Sequence, residues 1–554
     1  MKPRKNHAKA TASHALKLMI IGGFTLSNSE ISQAAEPPPT YSRAPMAAYN
    51  ALMDDALLGN SYEKPAWNLH DTLHLPDWLT VGLENRTRYE SLSDTFKPSQ
   101  PFPAPKAGGG NQQIEFQTDV WIQAKLGNFR FATEFMDARG LLSDQGTNNT
   151  PNPPNNTIVD TADFIQGYAS WADQNVLLSG RGIEIKAGRQ TIDLGSRRLV
   201  SRPIFRNTVN SFTGVRIRVL DYDQWQFNAF GTLPVLRYPN YITTPKGGNP
   251  NLLAPNANLL VNGNQEWDLE DTQTFFSGGI LEGYNVIKNI NAEIYLYNLN
   301  EGDSTNNATR NRKYFTPGLR FYIKPNKGDF DFVAEGMGQF GTVQYNTSVN
   351  DRQQNHQAWS EHIEAGYSFD LPMSPHFDIE YDWASGSKSS VYTNGSNDGR
   401  FDPLYGASDI DFGSTGIYSA FQRSNINSPS YRFSFAPRSD VTVLLQQRLI
   451  WLASAGDCWG GGSCSSTVSP GFVGNTHGTS GSYVGNQLGA SSRYTYNSSL
   501  YFEAGWFHLF KGQFATSAVS TASVTNNTPT TKKPGDTTPG GDTDYFYVQS
   551  QFRF

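Results

Sequence analysis

The stretch IEFQTDVWIQAKL, residues 114–126, alternates without a break. Ile114, Phe116, Thr118, Val120, Ile122, Ala124 and Leu126 share one parity; Glu115, Gln117, Asp119, Trp121, Gln123 and Lys125 share the other. Successive side chains of a strand point to opposite faces, so a period of two predicts a strand and excludes a helix. One face can meet lipid. The other carries charge and amides, which in a closed barrel means a wet interior.

The rhythm recurs along the chain. LTVGLENRTRYE (79–90) sets Leu79, Val81 and Leu83 against Glu84, Arg86, Arg88 and Glu90, and GVRIRV (214–219) sets Val215, Ile217 and Val219 against Arg216 and Arg218. LRFYI (319–323) and FDIEYDW (377–383) repeat it. Eighteen such runs can be placed, the first at 79–91 and the last at 544–554, with 159–171, 269–282 and 359–369 among them. The connections alternate in length. SLSDTFKPSQPFPAPKAGGGN and SDQGTNNTPNPPNNT are long, whereas GN at 127–128, PNKG at 325–328 and YNSS at 496–499 are tight. Outer-membrane barrels show this asymmetry, with short periplasmic turns and long extracellular loops. An even strand number returns both ends of the barrel to the short-turn side. The last strand, DYFYVQSQFRF, places Phe546, Val548, Phe552 and Phe554 on one face, as a closing strand requires. The expected fold is therefore all-β: a transmembrane, antiparallel outer-membrane β-barrel of about 18 strands.

Composition agrees. Aromatic residues make up 13% of the chain and glycine contributes 51 residues, a many-stranded signature. The mean hydropathy of −0.50 would suggest a soluble protein. Half-apolar strands evade such averages, and no run of about twenty apolar residues is present to form a membrane helix.

Three segments are expected. Residues 1–35 read as a signal peptide: Lys2, Arg4, Lys5, Lys9 and Lys17 precede the short apolar LMIIGGFTL, and SQAAE offers cleavage after Ala34 or Ala35. Residues 36–78 form a periplasmic N-terminal segment in which MAAYNALMDDALLGN (46–60) could make a short helix, outside the barrel or tucked into its lumen. Residues 79–554 form the barrel. Export also suits the only two cysteines, Cys458 and Cys464 in CWGGGSC, which are expected to close a small disulfide loop.

The formal net charge is −6, yet IKAGRQTIDLGSRRLVSRPIFRNT (185–208) concentrates Arg189, Arg197, Arg198, Arg202 and Arg206, with Asp193 the sole acid around residues 189–206. An acidic chain with pI near 5.9 argues against nucleic acid as the partner. The segment leaves the outer end of a strand, so its arginines are expected to line the pore or fold into it. Arg86, Arg88, Arg130, Arg216, Arg218, Arg320 and Arg432 are the further candidates on inward parities. Guanidinium rings favour anions, and the planar fork matches a carboxylate with two parallel hydrogen bonds. The opposing expectation is a structural ladder, in which these arginines pair with Glu84, Glu90, Glu115, Glu134 and Glu184.

LPDWLTVGLENRTRYE (75–90), AGRQTIDLGSRRL (187–199) with NTVNSFTGVRI (207–217), RFDPLY (400–405) and the terminal YVQSQFRF together resemble the alginate export porins of bacterial outer membranes. The resemblance covers nearly the whole mature chain. It implies an eighteen-stranded monomeric barrel, an arginine-rich constriction and passage of a uronic-acid polymer. Residue by residue it carries the basic positions onto Arg189, Arg197, Arg198 and Arg216. The expected partners are outer-membrane lipid, an anionic polysaccharide and periplasmic export or synthesis proteins that supply it. No cofactor, metal or catalytic constellation is expected. The runner-up function is a specific porin for uptake of small organic anions or sugars; a surface adhesin built on the long loops is a further class.

Overall fold

The computed structural model describes residues 57, 65–93, 111–142, 157–222, 224–237, 267–304, 308–345, 349, 351–388, 397–414, 421–457, 481–517 and 542–554. The expected signal peptide and the Cys458–Cys464 pair lie outside them. The strands run β1 Leu79–Leu92, β2 Asn111–Leu126, β3 Phe129–Leu141, β4 Asp160–Asp173, β5 Arg181–Gln190, β6 Phe212–Asp221 and β7 Trp225–Leu236. They continue with the two-residue β8 Leu269–Glu270, β9 Thr274–Ile287, β10 Ile290–Glu301, β11 Lys313–Ile323, β12 Phe330–Gln344 and β13 Gln353–Ser368. The last are β14 His376–Ala384, β15 Ile426–Arg438, β16 Val441–Trp451, β17 Tyr483–Asn497, β18 Leu500–Lys511 and β19 Thr543–Arg553.

Setting aside β8, which pairs only with the end of β7, each strand is antiparallel to its sequence neighbours. β1 pairs with β2 through Glu84↔Asp119 and Arg88↔Glu115, and with β19 through Glu84↔Arg553 and Arg86↔Gln551. That double pairing closes the sheet. The protein is thus an eighteen-stranded antiparallel barrel, as the sequence leads one to expect, and closure leaves no edge to be solvated. No helix among the described residues is long and apolar enough to cross a membrane.

The two faces follow the parities. On β13 burial alternates along almost the whole strand: Gln354, His356, Ser360, His362 and Glu364 are buried, whereas Trp359 and Ile363 are exposed. Polar residues are buried and apolar ones exposed, the inverse of a soluble protein and the arrangement that lipid demands. On β2, Glu115, Gln117, Asp119, Trp121 and Gln123 turn inward, while Ile122 and Leu126 are exposed. A shallow concavity of about 1050 Å³ is lined by Phe227, Leu281, Ile294, Leu319, Trp359 and Trp383 among others.

Two strand boundaries differ from expectation. The run 269–282 is broken because Asp271 builds its own turn, accepting Gln273 N at 3.1 Å and Thr274 Oγ1 at 2.6 Å, so β9 starts at Thr274. β13 begins at Gln353 rather than 359, since Gln353 and Gln354 already pair with Gln344 and Val343. At the short-turn end, Trp67 stacks on Phe552 and Phe554 at 6.4 and 6.1 Å, and Asn68 caps the single helical turn Leu69–Thr72. Leu57, the one described residue of the expected helix, packs with Ala172 and Leu220 near the same end.

Candidate functional site: the lumen and its two inserted segments

The connection between β5 and β6, residues 191–211, folds against the inner wall. Beside it lies 397–414, part of the connection between β14 and β15. Tyr405 N donates to Leu199 O at 3.0 Å, Ser201 N to Tyr405 O at 3.2 Å, and Val200 and Tyr405 form an isolated parallel bridge. Gly406 is required there: a Cβ would stand 1.8 Å from the Arg198 carbonyl oxygen, so only glycine lets the two backbones meet. Apolar side chains from both segments, Ile192, Leu194, Leu199, Phe205 and Phe401, Phe412, join one buried cluster with wall residues such as Phe212 and Tyr547.

The segment's arginines find acids that its own sequence lacks. Arg202 forms a two-pronged pair with Glu134 of β3, at 2.6 and 2.8 Å. Arg198 bonds Asp411 at 2.7 Å and Glu335 of β12 at 2.8 Å. Arg189 reaches Glu270 at 2.8 Å, and Arg197 binds Asp193 at 3.0 Å. Asp193 is the sole acid near this cluster in the sequence, and the tertiary structure brings Glu134, Glu270, Glu335 and Asp411 to it. Burial works against the charge of Arg198, but Asp411 and Glu335 outweigh it and hold the guanidinium above its ordinary range. Asp411 answers in kind. Burial opposes its ionisation, yet Arg198 and Arg423 keep it below the usual carboxylate value.

The wall arginines Arg88, Arg320 and Arg432 behave similarly. Arg88 pairs with Glu90 at 2.6 Å and with Glu115, and also donates to Phe205 O at 2.6 Å. Arg320 pairs with Glu293 at 2.8 Å, and Arg432 with Glu380 at 2.7 Å and Asp378 at 2.8 Å. Arg216 is held by Asn228 Oδ1 at 2.7 Å; Arg130 and Arg218 are buried on inward positions.

Arg86 and Arg206 differ. Arg86 donates to the carbonyls of Ile204 at 2.5 Å and Arg206 at 2.9 Å, and to Asn207 Oδ1 at 3.3 Å. Arg206 donates to Thr208 O at 2.8 Å and Asn210 Oδ1 at 2.6 Å, an oxygen that also accepts Arg237 at 2.5 Å. These acceptors are neutral, so they satisfy the guanidinium N–H groups without cancelling the charge. Burial, and then the neighbouring Arg237, push Arg206 well below its ordinary value.

Sequence reading missed Arg237, Arg310, Arg312, Arg400, Arg423 and Arg448. Arg448 could have been found by parity, since Val443, Leu445 and Leu449 of β16 place it inward; it bonds Glu380 and Asp382 at 2.7 and 2.8 Å. The others lie in loops or at strand ends, where no period exists. Arg310, Arg312, Arg400, His356, Asp398 and Asp402 help to line a polar cavity of about 550 Å³ at the long-loop end.

No curated protein matches the sequence. Among solved structures the fold is similar to Acinetobacter baumannii OccAB1, with TM-score 0.48 and 11% identity over 86% of this chain and 97% of that one. It is likewise similar to Pseudomonas aeruginosa OccK9 (OpdG), with TM-score 0.48 and 11% identity over 86% and 98%. The family model described as alginate export matches residues 77–528, most of the chain and nearly the whole barrel. An inward-charged, outward-apolar closed barrel and this match agree, and the chain belongs to the alginate export family of the bacterial outer membrane.

Proposed function

We propose that this outer-membrane channel passes an anionic, uronic-acid polysaccharide out of the cell, and that Arg86 and Arg206 supply the positive charge that an entering carboxylate meets. The observation that carries the reading is the difference in partners. Arg198 and Arg202 are neutralised by carboxylates, whereas Arg86 and Arg206 rest on carbonyls and amides. A guanidinium whose charge is destabilised by burial gains most when an anion arrives. Its fork then takes the carboxylate in two hydrogen bonds. Successive carboxylates trade water for such contacts and leave again, so the polymer advances by exchange between weak sites. The candidate set Arg86, Arg88, Arg130, Arg189, Arg197, Arg198, Arg202, Arg206, Arg216, Arg218, Arg320 and Arg432 thereby divides by role. Those in tight carboxylate pairs shape the pore, and those on neutral acceptors set its sign. Periplasmic partners supply the polymer.

The test is single-channel conductance of the reconstituted barrel in a salt gradient, with and without polyuronate. Anion-favouring reversal potentials and block by polyuronate, but not by monomeric uronic acids, are expected. Block by monomers as strong as by polymer would point instead to uptake of small anions. Cation selectivity would overturn the reading.

A further inference from the structure

We infer that Asp160, Asp163 and Asp268 form a calcium site at the outer rim of the barrel. A regular strand would turn residues three apart to opposite faces. Here the pairing of β3 with β4 slips between Met136 and Ala138, and Ala162 adopts a positive φ of 56° while its N–H donates to Asp137 at 3.1 Å. The irregularity puts Asp160 and Asp163 on one side. Asp268 arrives from the long connection before β8, its N–H donating to Asp163 Oδ2 at 2.6 Å. One oxygen from each of the three carboxylates lies within 4.8 Å of the others. That is the span of two ligands on opposite sides of a calcium ion at about 2.4 Å.

Asp160 supplies the independent observation. It is 0% exposed, and both of its carboxylate oxygens are buried with no hydrogen-bond partner. Asp163 and Asp268 are 1% and 3% exposed. A carboxylate stripped of water and given no donor is costly unless a cation or a proton takes the place of the lost water. The surrounding arginines do not take it. Arg189 stands 4.0 Å from Asp163 and gives its N–H groups to Phe164 O, Asp268 O and Glu270. Arg206 and Arg237 act on Asp160 through their field, while they donate hydrogen bonds to Thr208 O, Val209 O and Asn210 Oδ1. That field lowers affinity without filling the coordination sphere. Oxygen donors alone, with no nitrogen or sulfur, select a hard cation. Asp160 follows the long connection from β3 and Asp268 belongs to another, so the buried site lies at the long-loop end of the barrel, the end nearest the external medium. There, affinities of about 0.1–1 mM are typical of extracellular calcium modules. A bound ion would fasten the β8 ribbon to β4 beside the arginine-bearing segment.

Terbium luminescence tests the site in the full-length protein in detergent, because Trp267 adjoins Asp268 and stacks on Phe164 at 5.5 Å, within reach to sensitise a bound lanthanide. Excitation of tryptophan should give terbium emission that calcium displaces at about 0.1–1 mM and magnesium displaces at least tenfold less well. Asp160→Asn should reduce the emission at least tenfold while the barrel keeps its heat-modifiable migration. Should that variant fail to fold, Asp268→Asn serves in its place. Trp267→Phe should lose the emission yet retain calcium binding by calorimetry. Absence of sensitised emission in the wild type, equal displacement by magnesium, or undiminished emission in the folded Asp160→Asn or Asp268→Asn protein would overturn the assignment. A wild-type melting temperature unchanged between calcium and chelator, with a higher one in Asp160→Asn, would show a protonated acid there instead and equally overturn it.

Discussion

Arg198 and Arg206 lie eight residues apart on one inserted segment, share a residue type, and do different work. Arg198 is enclosed by Asp411 and Glu335, so its charge is spent on docking one loop against another and against the wall. Arg206 touches neutral oxygens, and in the proposed reading its field is the one that an entering anion meets. The difference teaches that counting arginines at a pore does not give its selectivity. What matters is which of them lack a carboxylate.

Removing one member of a buried pair leaves its partner's charge stranded, typically at a cost of about 3–5 kcal/mol. Arg198→Ala is therefore expected to release 397–414 from the lumen. The channel's conductance should rise and the segment should become protease-sensitive, with the sign of its selectivity kept; unchanged conductance would erase the distinction between the two arginines. Gly406→Val should act in the same direction and more weakly, because its side chain separates the backbones at the Arg198 carbonyl while leaving the ion pairs intact. Arg206→Gln is expected to do the reverse. Fold and conductance should persist, and the anion-to-cation permeability ratio should fall by about sevenfold, because one charge acting across about 7 Å of water favours an anion and disfavours a cation by roughly 0.6 kcal/mol each. A fall as large in Arg202→Gln, with its lumen still docked, would contradict the assignment of sign to the carbonyl-bonded arginines. The smallest effect is with pH. Asp411 is held below its unfolded value of about 3.9, so its share of docking stability is fully present above that value and is lost as pH falls through the depressed one. Conductance should begin to rise only below about pH 4, and a rise centred near neutrality would implicate another group.

Much of this protein can be read from periodicity. The strand β6, Phe212–Asp221, matches its expected bounds, and the others agree within a few residues apart from the start of β13 and the break at Asp271. That agreement has a physical basis: every wall residue faces either lipid or lumen, so the period-two code has nothing else to satisfy. Arg432 and Arg320 were legible for the same reason. The inserted segments were not. Residues 191–211 and 397–414 have no period, and their conformation rests on contacts such as Tyr405 with Leu199 and Arg198 with Asp411, between residues about two hundred positions apart. The rim site escaped detection because Asp160 and Asp163 have a spacing that predicts opposite faces, and only the extra residue of β4 in its pairing with β3 unites them.

The amino-acid order by itself determined the barrel, its strand number, the direction of its charged face and the presence of an arginine-rich segment, since alternation and turn chemistry act over a few residues. The tertiary structure alone decided which of those arginines are neutralised and which keep their field. Ion pairing depends on carboxylates brought from distant strands, and a distance in space leaves no mark on the spacing along a chain.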